Sequence, residues 1–241
     1  MNILLTNDDG YQAPGINYLK DYFTKKNHKV FVVAPDTEKS GSSHSITLRD
    51  AIKLVEKKDN LWVLRGTPAD CVILASLGLL EEKIDIVISG INHGPNIGRD
   101  TIYSGTAGAA RQGSLQGIPS FALSINTWSH EVSFEAVGEF LDEYLEKLLK
   151  NIQEDCFYNI NFPNKPKDQI KGVKGVYACP NHYYQSELVH FDSPVQGRYY
   201  WVDGNAPNYD IDDNTDACAL RNGYIAVSLI KVFSESLMVE L

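Results

Sequence analysis

The sequence predicts an α/β protein: a doubly wound, mostly parallel, Rossmann-like sheet with a β-rich appendage toward the C terminus. Short apolar runs, typical of strands buried on both faces, alternate along most of the chain with segments of helical periodicity. Glycine and proline mark the boundaries between these segments. This alternation is typical of parallel strands joined by right-handed helical crossovers.

The first strand-helix-strand unit is the clearest. Residues 2–6 form a short apolar run, a helical pattern follows Pro14, and a second apolar run at 30–34 ends at Pro35. Strands this close in sequence and separated by a helix predict a parallel pair.

The same alternation continues as far as residue 150. The further predicted elements are a strand hairpin at 51–64, a helix starting at Thr67-Pro68, a strand at 84–89, a small-residue helix at 104–116, a strand at 120–125 and an amphipathic helix at 133–150. We assign residues 1–163 to the Rossmann-like core. Residues 164–241 are then a β-rich appendage, a final core strand near 223–229 and a C-terminal assembly segment. The many aromatic residues at 183–201 predict either a subunit contact or packing among themselves.

Composition excludes several classes of function. The chain has 22 Lys plus Arg against 31 Asp plus Glu, a net charge of −9, which argues against binding of long nucleic acid or anionic membrane. The longest mostly apolar stretch, 71–80, is about half the roughly 20 residues that a membrane-spanning helix needs. The N terminus has no signal-peptide pattern, and four scattered cysteines are expected to be reduced packing residues. We expect a cytoplasmic protein.

Two adjacent acids follow the first strand. In open parallel sheets, ligands bind beyond the carboxyl ends of the strands, and Thr6-Asn7-Asp8-Asp9-Gly10 lies at such an end. The two carboxylates repel each other and have no cation beside them in sequence. A divalent cation such as Mg²⁺ or Mn²⁺ would relieve this repulsion, whereas the alternative is a solvated turn. The position at a strand end favours the metal.

Two more polar segments follow later strands. The loop at 36–45 carries hydroxyls, a lysine and a histidine, and the segment at 89–98 is rich in glycine and asparagine. Ser104-Gly105-Thr106 then opens a helix, where free backbone N–H groups favour phosphate, with plain helix capping as the alternative. No P-loop, nucleophile elbow or dinucleotide fingerprint is present. Together these features point to metal-assisted phosphate chemistry.

Five motifs in this order resemble those of the SurE family of survival-protein nucleotidases. They are Ile3-Leu4-Leu5-Thr6-Asn7-Asp8-Asp9-Gly10, Ser40-Gly41-Ser42-Ser43-His44-Ser45-Ile46-Thr47, Gly66-Thr67-Pro68-Ala69-Asp70-Cys71, Ser89-Gly90-Ile91-Asn92-His93-Gly94-Pro95-Asn96 and Tyr103-Ser104-Gly105-Thr106. They span about 100 residues of the chain.

The resemblance implies a divalent-metal-dependent nucleotidase that releases phosphate from nucleoside 5′-monophosphates, with 3′-monophosphates as further substrates. Residue by residue, it implies one Mg²⁺ or Mn²⁺ per subunit held by Asp8, Asp9, Ser40 and Asn92. The implied phosphate pocket comprises Asn96, Ser104, Gly105 and Thr106. The resemblance also implies a homodimer or homotetramer assembled through the C-terminal part.

The catalytic residues on this interpretation are Asp8 and Asp9. One of them would accept a proton from an attacking water, with Asn96 and Ser104 to Thr106 stabilising the phosphate, or one would attack phosphorus itself and form an aspartyl-phosphate. Two other functions stay open: a metal-dependent glycosyltransferase or sugar-nucleotide enzyme, and a noncatalytic nucleotide sensor. The bound cation and helix-start amides explain how an acidic protein binds an anionic substrate.

Overall fold

A large twisted sheet forms the centre of the molecule in the computed structural model, which describes residues 1–58, 60–129, 131–180, 187–203 and 212–234. In the described residues this sheet has nine strands, in the order β3-β4-β2-β1-β5-β6-β7-β11-β8, and β9 and β10 form a separate two-stranded sheet. The strands are β1 (Asn2–Thr6), β2 (Lys29–Pro35), β3 (Lys53–Lys58), β4 (Leu61–Arg65), β5 (Ile86–His93), β6 (Ser120–Asn126), β7 (Cys156–Pro163), β8 (Val173–Gly175), β9 (Glu187–Asp192), β10 (Arg198–Asp203) and β11 (Ile225–Lys231).

Five α-helices connect or flank these strands in the described chain. They are α1 (Pro14–Lys25), α2 (Pro68–Leu74), α3 (Gly105–Leu115), α4 (Glu135–Asn151) and α5 (Asp216–Arg221). A π-helical turn at Ala75–Leu79 extends α2, and 3₁₀ turns lie at Gly98–Ile102 and Lys167–Gln169. The predicted start of α2 is confirmed, because Thr67 caps this helix in a reciprocal capping box with Asp70.

The sheet is mostly parallel, as predicted. Strands β4, β2, β1, β5, β6 and β7 run parallel to one another. Strands β3 and β11 pair antiparallel with β4 and β7, and β8 pairs parallel with β11. Alternate side chains of β1 face opposite layers: Ile3 and Leu5 pack with residues of α1 and α4, and Leu4 packs with residues of α2. The doubly wound α/β prediction is therefore confirmed.

Two features of the sheet differ from the sequence-based assignment. Strand β5 does not end near residue 89 but continues through His93, with a cis peptide between Gly90 and Ile91 and a register shift against β6. Strand β7 was not predicted, because Asn159 and Asn161 interrupt its apolar run; both are fully buried.

The C-terminal part contributes to both sheets. Strands β8 and β11 complete the large sheet, and β9 and β10 form the antiparallel hairpin in the predicted β-rich region. Phe191, Tyr199 and Trp201 stack on one another and remain about half exposed. The other aromatic residues singled out from the sequence, Tyr183 and Tyr184, lie outside the described residues.

Two expectations from composition have structural counterparts. All four cysteines are free and buried, as packing residues are. In the part of the chain that the structure describes, no helix has the length and apolar character required to cross a membrane.

Candidate active site

The loops after β1 and β2 meet at the carboxyl edge of the sheet. The Lys39 N–H donates to the main-chain oxygen of Asp8 at 2.6 Å, and the Tyr11 N–H donates to Pro35 at 3.1 Å. Because β1 lies between β2 and β5, the ends of these three strands adjoin one another. The polar segments found in the sequence therefore converge on one edge, as the strand-end rule predicts.

Asp8 is anchored on the first turn of α3. Its side chain is almost fully buried, Oδ2 accepts a hydrogen bond of 3.1 Å from the Thr106 N–H, and Oδ1 accepts one from the Thr106 hydroxyl. The positive end of the helix dipole stabilises a carboxylate at this point. Burial nevertheless raises the pKa of Asp8, with the Thr106 hydrogen bonds opposing the rise.

Asp9 is held from the other side, by β5. Its Oδ2 accepts a hydrogen bond of 3.3 Å from the His93 N–H. Burial, followed by the neighbouring charge of Asp8, raises the pKa of Asp9 to about 7. Among the described residues, no Lys or Arg forms an ion pair with either aspartate. Two adjacent, largely buried carboxylates without a basic partner are a donor set that fits a divalent cation.

The other two predicted metal ligands lie near the end of β5 and in the loop after β2. The Asn92 Nδ2 donates to the Gly94 carbonyl at 2.9 Å, which leaves the amide oxygen as the atom suited to a cation. The Ser40 hydroxyl donates to Glu38 at 2.7 Å, one residue from the Lys39 amide that contacts the Asp8 main chain. Asn92 follows the register shift in β5 and precedes His93, whose N–H donates to Asp9.

The ligand set differs from a cluster of acids and imidazoles. In the described ranges, no group of three or more His, Cys, Asp or Glu side chains could hold a metal ion. The set assigned above has two carboxylates, one hydroxyl and one amide, all oxygen donors of the kind that Mg²⁺ and Mn²⁺ prefer.

The residues of the predicted phosphate pocket at the start of α3 lie near Asp8, but their observed contacts are with other protein groups. The Ser104 hydroxyl accepts the Ala107 N–H and caps α3, so the capping alternative describes its observed contact. The backbone and hydroxyl of Thr106 both donate to Asp8. Gly105 lies between Ser42 and Asp8, where an added Cβ would approach the Ser42 Oγ to 2.6 Å and the Asp8 Cβ to 2.8 Å. Direct phosphate contacts by these residues stay a prediction.

Asn96 belongs to a buried amide network. Its N–H donates to the Asn161 Oδ1 at 2.8 Å, and its Nδ2 donates to the Ser124 hydroxyl at 2.9 Å. The side chains of Asn159 and Asn161 both donate to the Asn96 carbonyl, at 2.7 and 2.9 Å. The observed contacts of Asn96 thus fix the backbone of the segment after β5, whereas its predicted contact with phosphate is untested.

The structure adds residues that the sequence reasoning missed. The Ser42 hydroxyl is buried without a hydrogen-bond partner beside Gly105 and Asp8, an arrangement that suits a donor to a bound anion. Asp216 accepts hydrogen bonds of 2.8 to 2.9 Å from the N–H groups of Gly98, Cys179 and Ala217, and so ties α5 to the segment after β5. The serine-rich loop was a signal for Ser42, but no local pattern pairs Asp216 with Gly98 across 118 positions.

In metal-free protein, we expect thermal stability to fall as the pH rises from about 4 to about 7. The pKa of Asp9 is raised from 3.8 to about 7 in the folded protein, which therefore binds more protons than the unfolded chain between these values. Stability is lost as the pH rises through that window. Thermal melts in EDTA should show this loss in the parent and a smaller one in Asp9→Asn, which cannot titrate. An equal loss of stability in both proteins would contradict the assignment of this pH dependence to Asp9.

Comparison with known proteins decides the family. A family model described as Survival protein SurE matches residues 3–185. The chain belongs to the SurE family. A protein named 5′-nucleotidase SurE from Petrotoga mobilis is 41% identical over 239 residues, which cover 97% of this chain and 94% of that protein. Its namesake from Heliobacterium modesticaldum is 41% identical over 237 residues, covering 95% and 86%.

A solved structure supports the same assignment. The crystal structure of the SurE protein from Aquifex aeolicus matches this fold with a TM-score of 0.84 and 36% sequence identity, covering 97% of this chain and 94% of that one. The resemblance to the SurE family, drawn from five motifs, is thus confirmed over nearly the whole of this chain.

Proposed function

We propose that this SurE-family protein is a divalent-metal-dependent nucleotidase that hydrolyses nucleoside 5′-monophosphates to nucleoside and inorganic phosphate, with 3′-monophosphates as further substrates. The observation that carries the proposal is the pair Asp8 and Asp9, adjacent, largely buried and without a basic ion-pair partner in the described chain, at the end of the central strand β1. The relatives named 5′-nucleotidase SurE support the choice of substrate.

The residues that would hold one Mg²⁺ or Mn²⁺ are Asp8, Asp9, Ser40 and Asn92. When bound, the cation supplies Lewis-acid polarisation of the substrate phosphoryl group. The protein's share is to hold both carboxylates in a fixed orientation. The first turn of α3 orients Asp8 through Thr106, and the His93 N–H orients Asp9. Such fixed geometry lowers the entropic part of the barrier.

The site also offers donors for the phosphate oxygens and an acceptor for a proton. The unpartnered Ser42 hydroxyl is one donor suited to a phosphate oxygen, and the amide groups at the start of α3 add a favourable field. Asp9 is the residue suited to accept a proton from the attacking water, with Asp8 as a nucleophile in the alternative route. The stereochemistry at phosphorus separates these routes: with a nucleotide whose phosphate is chiral, inversion of configuration establishes direct attack by water, and net retention establishes two displacements through an aspartyl-phosphate.

The deciding experiment is a substrate panel with metal-stripped protein. We expect inorganic phosphate from AMP and GMP only after Mg²⁺ or Mn²⁺ is added, and no transfer or hydrolysis of a nucleotide sugar. Consumption of a nucleotide sugar without phosphate release from AMP would establish the glycosyltransferase alternative. Saturable nucleotide binding with no turnover of any substrate would establish the sensor.

We also propose that the protein assembles as a homodimer or homotetramer through the β9–β10 hairpin. An isolated two-stranded hairpin is marginally stable in water, and this one exposes Phe191, Tyr199 and Trp201 by about half. A partner subunit that covers these rings would stabilise the hairpin. Sedimentation equilibrium of the parent and of Trp201→Ser tests this, and a monomeric parent would contradict it.

A further inference from the structure

A cavity of about 400 Å³ lies beside Asp9. Its polar lining residues are Asp9, Asn92 and His93, so two of the four proposed metal ligands line it directly. The rest of the lining is largely apolar: Ala13, Pro14, Ile91, Ile125, Val132 and Phe134. The cavity thus combines apolar walls with polar residues of the proposed metal site.

The walls of this cavity are held in place by contacts outside it. The Phe134 ring stacks on Tyr18 with 5.1 Å between ring centroids. The His93 Nε2 lies 2.8 Å from the Ser129 carbonyl, which joins β5 to the segment that leads to Phe134. Asn164 donates to Thr127 and to the Glu131 carbonyl, both at 3.0 Å, and anchors the same segment. Binding sites for small molecules are typically preformed in this way.

We infer that this cavity holds the nucleoside part of the nucleotide substrate, with the base against Phe134 and the phosphate at Asp9 and Asn92. The inference rests on the proposed function. A nucleotide has a charged phosphate at one end and a base with apolar faces at the other. The cavity lining has both parts: two proposed metal ligands for the phosphate and apolar side chains, including an aromatic ring, for the base. Its volume lies at the lower end of the range for small-molecule sites, about 300–1,000 Å³, and suits one nucleoside rather than a longer oligonucleotide.

The first test measures binding without catalysis. Calorimetric titration with adenosine, the product of AMP hydrolysis, should show saturable binding to the parent. Phe134→Ala removes the stacking surface and should weaken adenosine binding about tenfold, the scale expected for loss of an aromatic contact. Ala13→Leu fills the cavity without deleting a ring and should weaken binding similarly. Phe233→Ala, an exposed ring outside the cavity, is the control and should bind like the parent.

The second test compares two substrates that differ only in the base. Phe134→Ala and Ala13→Leu should raise the KM for AMP about tenfold and leave kcat/KM for ribose 5-phosphate unchanged. Parent-like adenosine binding by both cavity variants, or equal losses on AMP and ribose 5-phosphate, would overturn the inference. Failure of the proposed function has a different signature, since the metal-loaded parent would then release no phosphate from AMP whatever its affinity for adenosine.

Discussion

We expect Asp8→Asn to lower kcat for AMP hydrolysis by more than about 100-fold at saturating Mn²⁺. The substitution keeps the size of the side chain but removes the charge that Thr106 and the first turn of α3 hold in place. Loss even of outer contacts around a metal ligand costs about 10- to 100-fold in affinity or activity, so loss of a ligand that also takes part in the chemistry costs more. Steady-state phosphate release measures the effect.

The matched control for this prediction is Asp85→Asn. Asp85 immediately precedes β5 at the opposite edge of the same sheet, where its Oδ2 accepts a hydrogen bond of 2.7 Å from the Asn2 N–H. The same chemical change there should leave kcat within about twofold of the parent, because the residue is remote from the site. Activity of Asp8→Asn equal to that of Asp85→Asn would remove the first aspartate from the mechanism.

Gly105→Ala is expected to be the second most damaging substitution. A Cβ at this position would lie 2.6 Å from the Ser42 Oγ and 2.8 Å from the Asp8 Cβ, too close for either atom to stay in place. Because Ala is favoured over Gly within helices, the change should not unfold α3. Displacement of Asp8 by a fraction of an ångström to 1 Å predicts a loss of up to about 100-fold in kcat/KM.

The control for the glycine change is Gly175→Ala in β8. An added Cβ there meets no atom within 4 Å, so a parent-like kcat/KM is expected. Circular dichroism melts of both variants separate displacement of the site from unfolding. A folded Gly105→Ala protein with parent activity would show that the contact between α3 and Asp8 does not govern catalysis.

Most of the fold was accessible from the sequence because its strands and helices have strong local signals. The apolar runs at residues 2–6 and 30–34 became β1 and β2, and Thr67 with Asp70 marked the start of α2 through a local capping box. Strand β7 had no such signal. Its two asparagines suggest exposure when taken alone, yet both are fully buried because the Asn96 carbonyl accepts their side-chain N–H groups.

In the candidate site, too, features with a local sequence signal were predicted and long-range contacts were not. Adjacent acids at a strand end are visible in the sequence, and the structure brings Asp8 and Asp9 together with the end of β5. The contacts at the start of α3 were not visible, because Thr106 donates to Asp8 across 98 positions. The buried, unpartnered Ser42 hydroxyl beside them was not visible either. Periodicity and capping patterns relate residues that are close in sequence, so they cannot predict which distant residue each one contacts.

A metal titration of stripped protein, with AMP as the substrate, tests the catalytic role of the cation most directly. We expect no phosphate release in EDTA, and release that rises with added Mn²⁺ until about one ion per subunit is bound, with Asp8→Asn inactive throughout. Full release of phosphate by the stripped parent protein, or by Asp8→Asn, would contradict the assignment of these carboxylates to a catalytic cation.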